Sequence, residues 1–370
     1  MRLLITTDTV GGVWTYTKEL TEGLLVRGNE VILISMGRAP SPDQRAWTRR
    51  MCVKWPGCFR YLPTEHALEW MQQNEGCYRQ AEAVLMEQVE SFAPDLLHLN
   101  QYCYGSLPTD LPKVVMAHSD VMSWSECCRG GQPGDSPWLR QYLRVVREGL
   151  ANADALVAPS RWMMEALARN YALPAHCAVI ANGRAVAGRN EKTARKLQAV
   201  TVGRVWDEGK NVRVLEEAES PMPVLVAGEL ALEAEPPFAS SRLRLLGQLS
   251  EEAALTLFAQ SAIYIATSLY EPFGLAPVEA ALSGCAIVAH DIPSFREVWG
   301  ESALYFSHAE ELSAILHALY ADRVLLQRVA ARVRARARSL YSQDAMVEKY
   351  LDLYASLGAR VDLVEAEHAS

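Results

Sequence analysis

From end to end the chain alternates short runs of Val, Ile and Leu with longer stretches of helical apolar spacing. That alternation predicts parallel strands, because a parallel neighbour is reached only through a connection long enough to cross a sheet face. The class is therefore α/β. One strand series is expected at 2–7, 30–35, 95–100, 113–118, 155–159 and 178–182, each run ending in polar or glycine-containing residues, where open parallel sheets place their ligands. A second series is expected at 198–203, 223–228, 243–247, 262–267, 286–290 and 303–306. The expectation is two Rossmann-like, doubly wound domains facing across a cleft, which is the default position for a ligand.

A length of 370 residues fits two sizeable domains on a prior of about 150 residues each. The stretch Gly183 to Lys196 is rich in Gly, Arg and Lys and has no apolar period, so the interdomain linker is expected there. The first domain then covers 1–183 and the second 184–340. From about 310 to 357 the chain reads as helices broken near Leu340 to Gln343, and the final 365–370 as a frayed end. Alternate arginines at 332, 334, 336 and 338 are expected to form a solvated helix face.

Charge narrows the partners. With 36 Lys plus Arg against 44 Asp plus Glu the chain carries −8, which disfavours a general nucleic-acid binder and requires any anionic ligand to be met by a local cluster of cations. The cysteines show no C-x-x-C pair, and a chain of this size needs no disulfide framework, so neither zinc nor disulfides are expected. The N-terminus lacks a secretory pattern and no run approaches the roughly 18 apolar residues of a spanning helix, so a cytoplasmic protein is expected. Arg45, Arg49, Arg50, Lys54 and Arg60 interleave with Trp47, Trp55 and Phe59. This mixture suits either an ordinary amphipathic surface or weak peripheral contact with the anionic inner face of a membrane.

The segment with most chemistry is Ile265-Ala-Thr-Ser-Leu-Tyr-Glu-Pro-Phe-Gly-Leu-Ala-Pro-Val-Glu-Ala-Ala-Leu-Ser-Gly284. It reads as a strand, a loop and a helix over about 276–283, with Pro277 in the first turn and Gly284 as the stop. The backbone N–H groups around Gly274 and Leu275, together with the helix dipole, suit a phosphate. Glu271 falls on the loop and Glu279 is expected in the first turn. Carboxylates beside a phosphate make sense when they accept hydrogen bonds from hydroxyls on either side of it, the layout of a nucleoside-diphosphate sugar. The alternative for Glu279 is a carboxylate that merely complements the helix dipole.

Glu-x7-Glu in the setting Tyr-Glu-Pro-Phe-Gly-Leu-x-Pro-x-Glu-Ala resembles the signature of the retaining GT-B glycosyltransferases of family GT4 (glycosyl transferases group 1). The likeness extends to Gly11-Gly12-Val-Trp-Thr-Tyr-Thr-Lys-Glu-Leu20, Ala158-Pro-Ser160, Asn182-Gly183, Val202-Gly-Arg204, Lys210, Leu246-Gly-Gln-Leu-Ser250, Pro293-Ser-Phe-Arg-Glu297 and Tyr350-Leu-Asp-Leu-Tyr354. The resemblance implies donor contacts from Gly12, Gly228, Leu249, Phe273, Gly274, Leu275 and Glu279, with Glu279 on the ribose diol. It implies catalytic roles for His118, Glu271, Arg204 and Lys210. Glu271 would contact the donor sugar, and the two cations would neutralise the diphosphate; surface charge is their bland alternative. A tail helix, 341–370, is expected to cross back to the first domain.

No Asp-x-Asp occurs, so no metal and no cofactor are expected, the nucleotide sugar being a substrate. Gly11 and Gly12 are not part of a G-x-G-x-x-G pattern, which disfavours a dinucleotide dehydrogenase. Uridine and guanosine donors both remain open, with uridine slightly ahead, and Glu229 in Ala227-Gly-Glu-Leu230 departs from the family near the nucleobase. On the acceptor side Trp14, Tyr16, Asn100, Tyr102 and Asp120 are candidates, Asp120 either as an orienter of His118 or as a base, and 127–137 is expected to be a mobile loop. The acceptor would be a hydroxyl on a glycan, a lipid or a small molecule. A sugar-nucleotide epimerase and a sugar-nucleotide sensor without transfer are the alternatives.

Overall fold

The computed structural model describes residues 1–71, 77–185, 195–231 and 238–359. Most of the expected linker and the expected frayed end lie outside the described residues. The chain divides into two compact units. The first holds Met1–Ser123, Gln132–Gly183 and the chain from Gln343 onward; the second holds Trp124–Gly131 and Arg184–Ser342.

In the first unit the strands are β1 (Arg2–Asp8), β2 (Glu30–Met36), β3 (Phe59–Pro63), β4 (Leu96–Leu99), β5 (Lys113–Met116), β6 (Ala155–Ala158) and β7 (Cys177–Val179). They form one parallel sheet in the order β3-β2-β1-β4-β5-β6-β7. Its helices begin α1 (Gly12–Val26), α2 (Pro42–Lys54) and α3 (Cys77–Phe92) and go on to α5 (Pro137–Asn152) and α6 (Arg161–Asn170), while α4 (Val121–Arg129) starts in the first unit and continues in the second. The central strands are buried on both faces, which is why they read as continuous apolar runs.

The second unit repeats the plan with β8 (Lys196–Val202), β9 (Val224–Ala227), β10 (Arg244–Gly247), β11 (Ser261–Ala266), β12 (Ala286–His290) and β13 (Leu304–Phe306), ordered β10-β9-β8-β11-β12-β13. Its helices are α7 (Val214–Glu217), α8 (Glu251–Gln260), α9 (Leu275–Ser283), α10 (Pro293–Trp299), α11 (Ala309–Ala321) and α12 (Arg323–Leu340); α13 (Gln343–Ser356) returns the chain to the first unit. In each sheet the strand order reverses beside the first strand, between β1 and β4 and between β8 and β11. The loops leaving the carboxyl ends of those strands are where such sheets bind ligands.

Four local expectations change. β3 was not expected: Phe-Arg-Tyr-Leu-Pro is an edge strand, only Phe59 of it is buried, and a one-sided strand ending in proline lacks the apolar run of its neighbours. In the same stretch Trp47 and Phe59 are buried, so these aromatics belong to the core and not to a membrane-facing surface, while Arg45, Arg49, Arg50, Lys54 and Arg60 are exposed. Among the described residues no helix is long and apolar enough to cross a membrane. Cys127 and Cys128 lie in α4, so the expected loop is reduced to the segment between α4 and α5. Of the alternate arginines, Arg336 is not simply solvated: its guanidinium donates to the carbonyls of Val298 and Glu297 at 2.6 and 3.1 Å, tying α12 to the end of α10. Cys52, Cys58, Cys103, Cys127, Cys128, Cys177 and Cys285 are free thiols.

Helix α13 packs on α1, and a buried polar chain fixes it there. Tyr354 lies 2.8 Å from His98 Nδ1, His98 Nε2 3.1 Å from the Tyr16 hydroxyl, Tyr16 donates to Tyr350 at 2.6 Å, and Tyr350 donates to Met116 Sδ at 3.2 Å. Burial lowers the His98 pKa to about 3, so the ring is neutral and has one N–H. Because the Tyr16 proton is already committed to Tyr350, satisfying every atom requires His98 to donate from Nε2 to Tyr16 and to accept at Nδ1 from Tyr354.

Tyr354→Phe therefore leaves a buried ring nitrogen without its donor, and we expect a loss of about 1–3 kcal/mol in urea unfolding at neutral pH. His98 binds its proton near pH 6.5 when unfolded and near 3 when folded, so stability is fully present above about 6.5 and falls as pH drops toward 3. Its share of that fall is at most about 1.4 kcal/mol per pH unit, measurable by comparing the stability profiles of the wild type and His98→Gln.

Candidate active site

In the second unit the loop after β11 turns into α9 at Gly274, whose φ of 90° is a left-handed conformation suited to glycine. The helix starts at Leu275, one residue earlier than expected, and ends on Gly284 in the same left-handed region. Its first amide is that of Leu275, which with that of Gly274 makes up the donors that the sequence assigned to an anion. Glu271 precedes the helix and lies 2.5 Å from Lys210 Nζ, with Ser268 Oγ donating to the same carboxylate at 3.3 Å.

Glu279 is in the second turn of α9 and not the first, so the helix dipole does not account for it. What holds it is Arg184, whose Nε lies 3.0 Å from Glu279 Oε1 while Nη2 lies 2.9 Å from Glu251 Oε1. Both carboxylates of the Glu-x7-Glu motif are thus matched by a cation within one unit. The repulsion that two glutamates would exert on an anionic ligand is correspondingly reduced.

Lys210 closes a short turn that is stitched to the β11 loop: Thr267 Oγ1 donates to the Lys210 carbonyl at 2.6 Å and the Leu269 amide to the Gly209 carbonyl at 2.9 Å. Arg204 pairs with Asp207 at 2.7 Å and lies over the Trp206 ring. Gly228 has a φ of 137°, and a Cβ there would fall 1.7 Å from the Gly203 carbonyl oxygen. Only a residue without a side chain permits that approach of the β8 and β9 loops. Glu229, the departure from the family, accepts a hydrogen bond from Trp206 Nε1 at 2.9 Å.

Two further donor candidates lie in the same unit. Phe273 is buried with its ring perpendicular to Tyr341 at 5.1 Å, so it packs the loop and offers no ring face to a ligand. Leu249 lines a shallow, open depression with Leu246, Ala253 and Leu257. In the first unit Gly12 is the first residue of α1 after Gly11, which caps the helix at a φ of 79°.

His118 lies just past β5, which ends two residues sooner than expected. Its Nε2 is 2.7 Å from Asn100 Oδ1. Asn100 Nδ2 donates to the Thr6 carbonyl at 2.5 Å and to Thr17 Oγ1 at 3.1 Å, so its orientation is set and Oδ1 must accept from His118. The His118 proton is therefore on Nε2, leaving the Nδ1 lone pair to a ligand. Burial first and the neighbouring His98 second lower the His118 pKa to about 3, so this half-buried ring is an acceptor and not an acid at neutral pH.

Asp120 does not orient His118. It is buried, accepts from the hydroxyls of Tyr142 and Tyr171 at 3.1 and 2.6 Å, and takes the Ser123 amide at 2.8 Å. Tyr16 is wholly buried in the chain that holds α13, Tyr102 is buried and donates to the Ser119 carbonyl, and Trp14 packs edge-on against Trp47 and Tyr61. None of these rings presents an open face for a sugar. The sequence reading missed Arg184 and Glu251; Asn182-Gly183 ends one residue before the arginine, and the available signal was that both expected cations, Arg204 and Lys210, were assigned to the diphosphate, which left Glu279 without one. Among the described residues no group of three or more His, Cys, Asp or Glu side chains is placed to hold a metal ion.

The expected outcome for His118 in a histidine-selective NMR titration is a signal that does not move between about pH 5 and 8. A titration centred near 6.5 would contradict the Asn100-bound neutral ring.

Comparison with known proteins follows the same division. Residues 10–186 match the model described as Glycosyltransferase Family 4 and residues 195–338 the one described as Glycosyl transferases group 1. No curated protein sequence matches the chain. Among solved structures, sucrose-phosphate synthase from Thermosynechococcus elongatus superposes with a TM-score of 0.76 at 17% identity, covering 97% of this chain and 99% of that one. Anabaena HepE in complex with UDP and glucose gives 0.71 at 16%, covering 96% and 100%. WaaG, a glycosyltransferase involved in lipopolysaccharide biosynthesis, gives 0.67 at 13%, covering 95% and 99%. Two parallel doubly wound sheets, the Glu-x7-Glu helix and two family models that together span most of the sequence place the chain among the GT-B glycosyltransferases of family GT4.

Proposed function

We propose that the protein is a retaining hexosyltransferase that moves a sugar from a nucleoside diphosphate, uridine ahead of guanosine, to a hydroxyl of a glycan, lipid or small molecule without a metal. The observation that carries this reading is the α9 N-terminus with Glu271 on Lys210 and Glu279 on Arg184. HepE, solved with UDP-glucose, supports the uridine preference.

Departure of the nucleotide adds negative charge to its β-phosphate. A cation about 4 Å away contributes on the order of 4 kcal/mol at an effective dielectric near 20. Arg204 and Lys210 supply that charge by exchanging Asp207 and Glu271 for phosphate oxygens, and the amides of α9 add donors that need no reorganisation. Glu271, released from Lys210, accepts a sugar hydroxyl, and Glu279 takes the ribose diol. His118 accepts a hydrogen bond from a hydroxyl at Nδ1, which needs the neutral ring that burial enforces. Retention follows from front-face attack in which the leaving phosphate assists deprotonation of the acceptor, with no covalent sugar on the protein.

Incubation with a panel of nucleotide sugars, with and without acceptors, should release nucleoside diphosphate only when an acceptor is present, and EDTA should not change the rate. Glu271→Ala and His118→Ala should each lower kcat by about 100-fold or more, whereas Glu279→Ala should act mainly on the donor KM. An inverted anomeric centre in the product NMR spectrum, or activity restored only by Mg²⁺ after EDTA, contradicts the mechanism. Conversion of the donor without release points to an epimerase, and binding without turnover to a sensor.

A further inference from the structure

Arg184 is held from two sides before it holds anything itself. Its amide donates to the Tyr341 carbonyl at 2.9 Å, and the residue forms an isolated parallel bridge with Ser342 at the break between α12 and α13. Tyr341 is in turn fixed, with its hydroxyl donating to Val298 at 2.5 Å and its ring against Phe273. The Arg184 side chain is 6% exposed, so its charge has left water almost completely. A guanidinium in that position persists only because carboxylates meet it.

Those carboxylates come from two adjacent helices. Glu251 is the first residue of α8, directly after the 247–250 segment, and is 43% exposed; Glu279 belongs to α9 and is 13% exposed. The two contacts differ in consequence. Glu251 can satisfy itself in solvent, so its bond to Nη2 serves chiefly to anchor Arg184. Glu279 has far less solvent to turn to, and the bond from Arg184 Nε fixes its Oε1. A swivelled carboxylate cannot meet both hydroxyls of a vicinal diol; one fixed through Oε1 can.

We propose that Arg184 is the positioning residue for ribose recognition: by keeping Glu279 aimed it makes the protein select nucleotides whose ribose diol is intact. The inference rests on the reading of Glu279 as the ribose acceptor. Arg184 acts through Glu279 and touches neither the transferred sugar nor the diphosphate. Its removal therefore weakens ribonucleotides selectively and narrows their advantage over deoxyribonucleotides, instead of weakening every ligand equally.

Calorimetric titration of the full chain with UDP and with 2′-deoxy-UDP, and with the guanosine pair in parallel, tests this. The wild type should prefer the ribonucleotide by about tenfold or more, the worth of one charge-assisted hydrogen bond. Arg184→Met should bring the ratio below about threefold, with most of the loss on the ribonucleotide and Arg184→Lys in between. In turnover the donor KM should rise by about tenfold while kcat stays within about threefold of wild type. Should Arg184→Met lack the wild-type thermal transition, Glu251→Gln carries the measurement, since loosening the anchor should lower the ratio by about twofold to threefold. A ratio in the folded variants as high as in the wild type overturns the proposal and leaves the nucleotide-sugar reading standing. A wild-type ratio near one overturns the role of Glu279 and with it the proposal, while absence of binding for both nucleotides overturns the donor reading itself.

Discussion

Two buried or half-buried glutamates at the start of one helix are tolerable only because each meets a cation. Lys210 reaches Glu271 from the loop after β8, and Arg184 reaches Glu279 from the chain that enters the second unit. Everything nearby serves these pairings. Hydrogen bonds from Thr267 and Leu269 lock the Lys210 turn to the β11 loop, and Gly228 lets the β9 loop lie against Gly203 where any side chain would collide with it. Phe273 and Tyr341 hold the loop before α9 and, through the Tyr341 carbonyl, the backbone of Arg184. The acidic average of the chain conceals this local balance.

The first unit solves a different problem, keeping imidazoles neutral inside a polar network. His98 sits between Tyr354 and Tyr16, and the directions of the hydroxyl protons leave a single arrangement that satisfies all atoms. Next to it the Tyr16 ring meets His118 edge-on at 4.8 Å, and Asn100 fixes the His118 tautomer. The helix that ends the described chain is therefore part of the wall behind His118. A residue read as a candidate for sugar stacking, Tyr16, is a structural link in that wall.

Much of the fold was legible because it is written in local periods. Every central strand was located to within a few residues, since a strand buried on both faces must be apolar throughout. β3 escaped because an edge strand has no such obligation, and Trp47 and Phe59 misled because a basic aromatic segment looks the same from either side of a helix. The helix of the Glu-x7-Glu motif was legible from Pro277 and Gly284, although its start one residue earlier moved Glu279 out of the first turn.

The sequence by itself determined the two parallel sheets, the helix N-terminus that faces a loop rich in donors, and the family, because periodicity, caps and motif spacing are properties of neighbouring residues. Only the tertiary structure decided the partners: Arg184 for Glu279, Lys210 for Glu271, Asn100 for His118, and the tyrosine hydroxyls for Asp120. Those pairings join residues far apart along the chain, and burial sets their strength. A charge or an imidazole acquires its role from the groups that strand order brings beside it and from the water that packing removes.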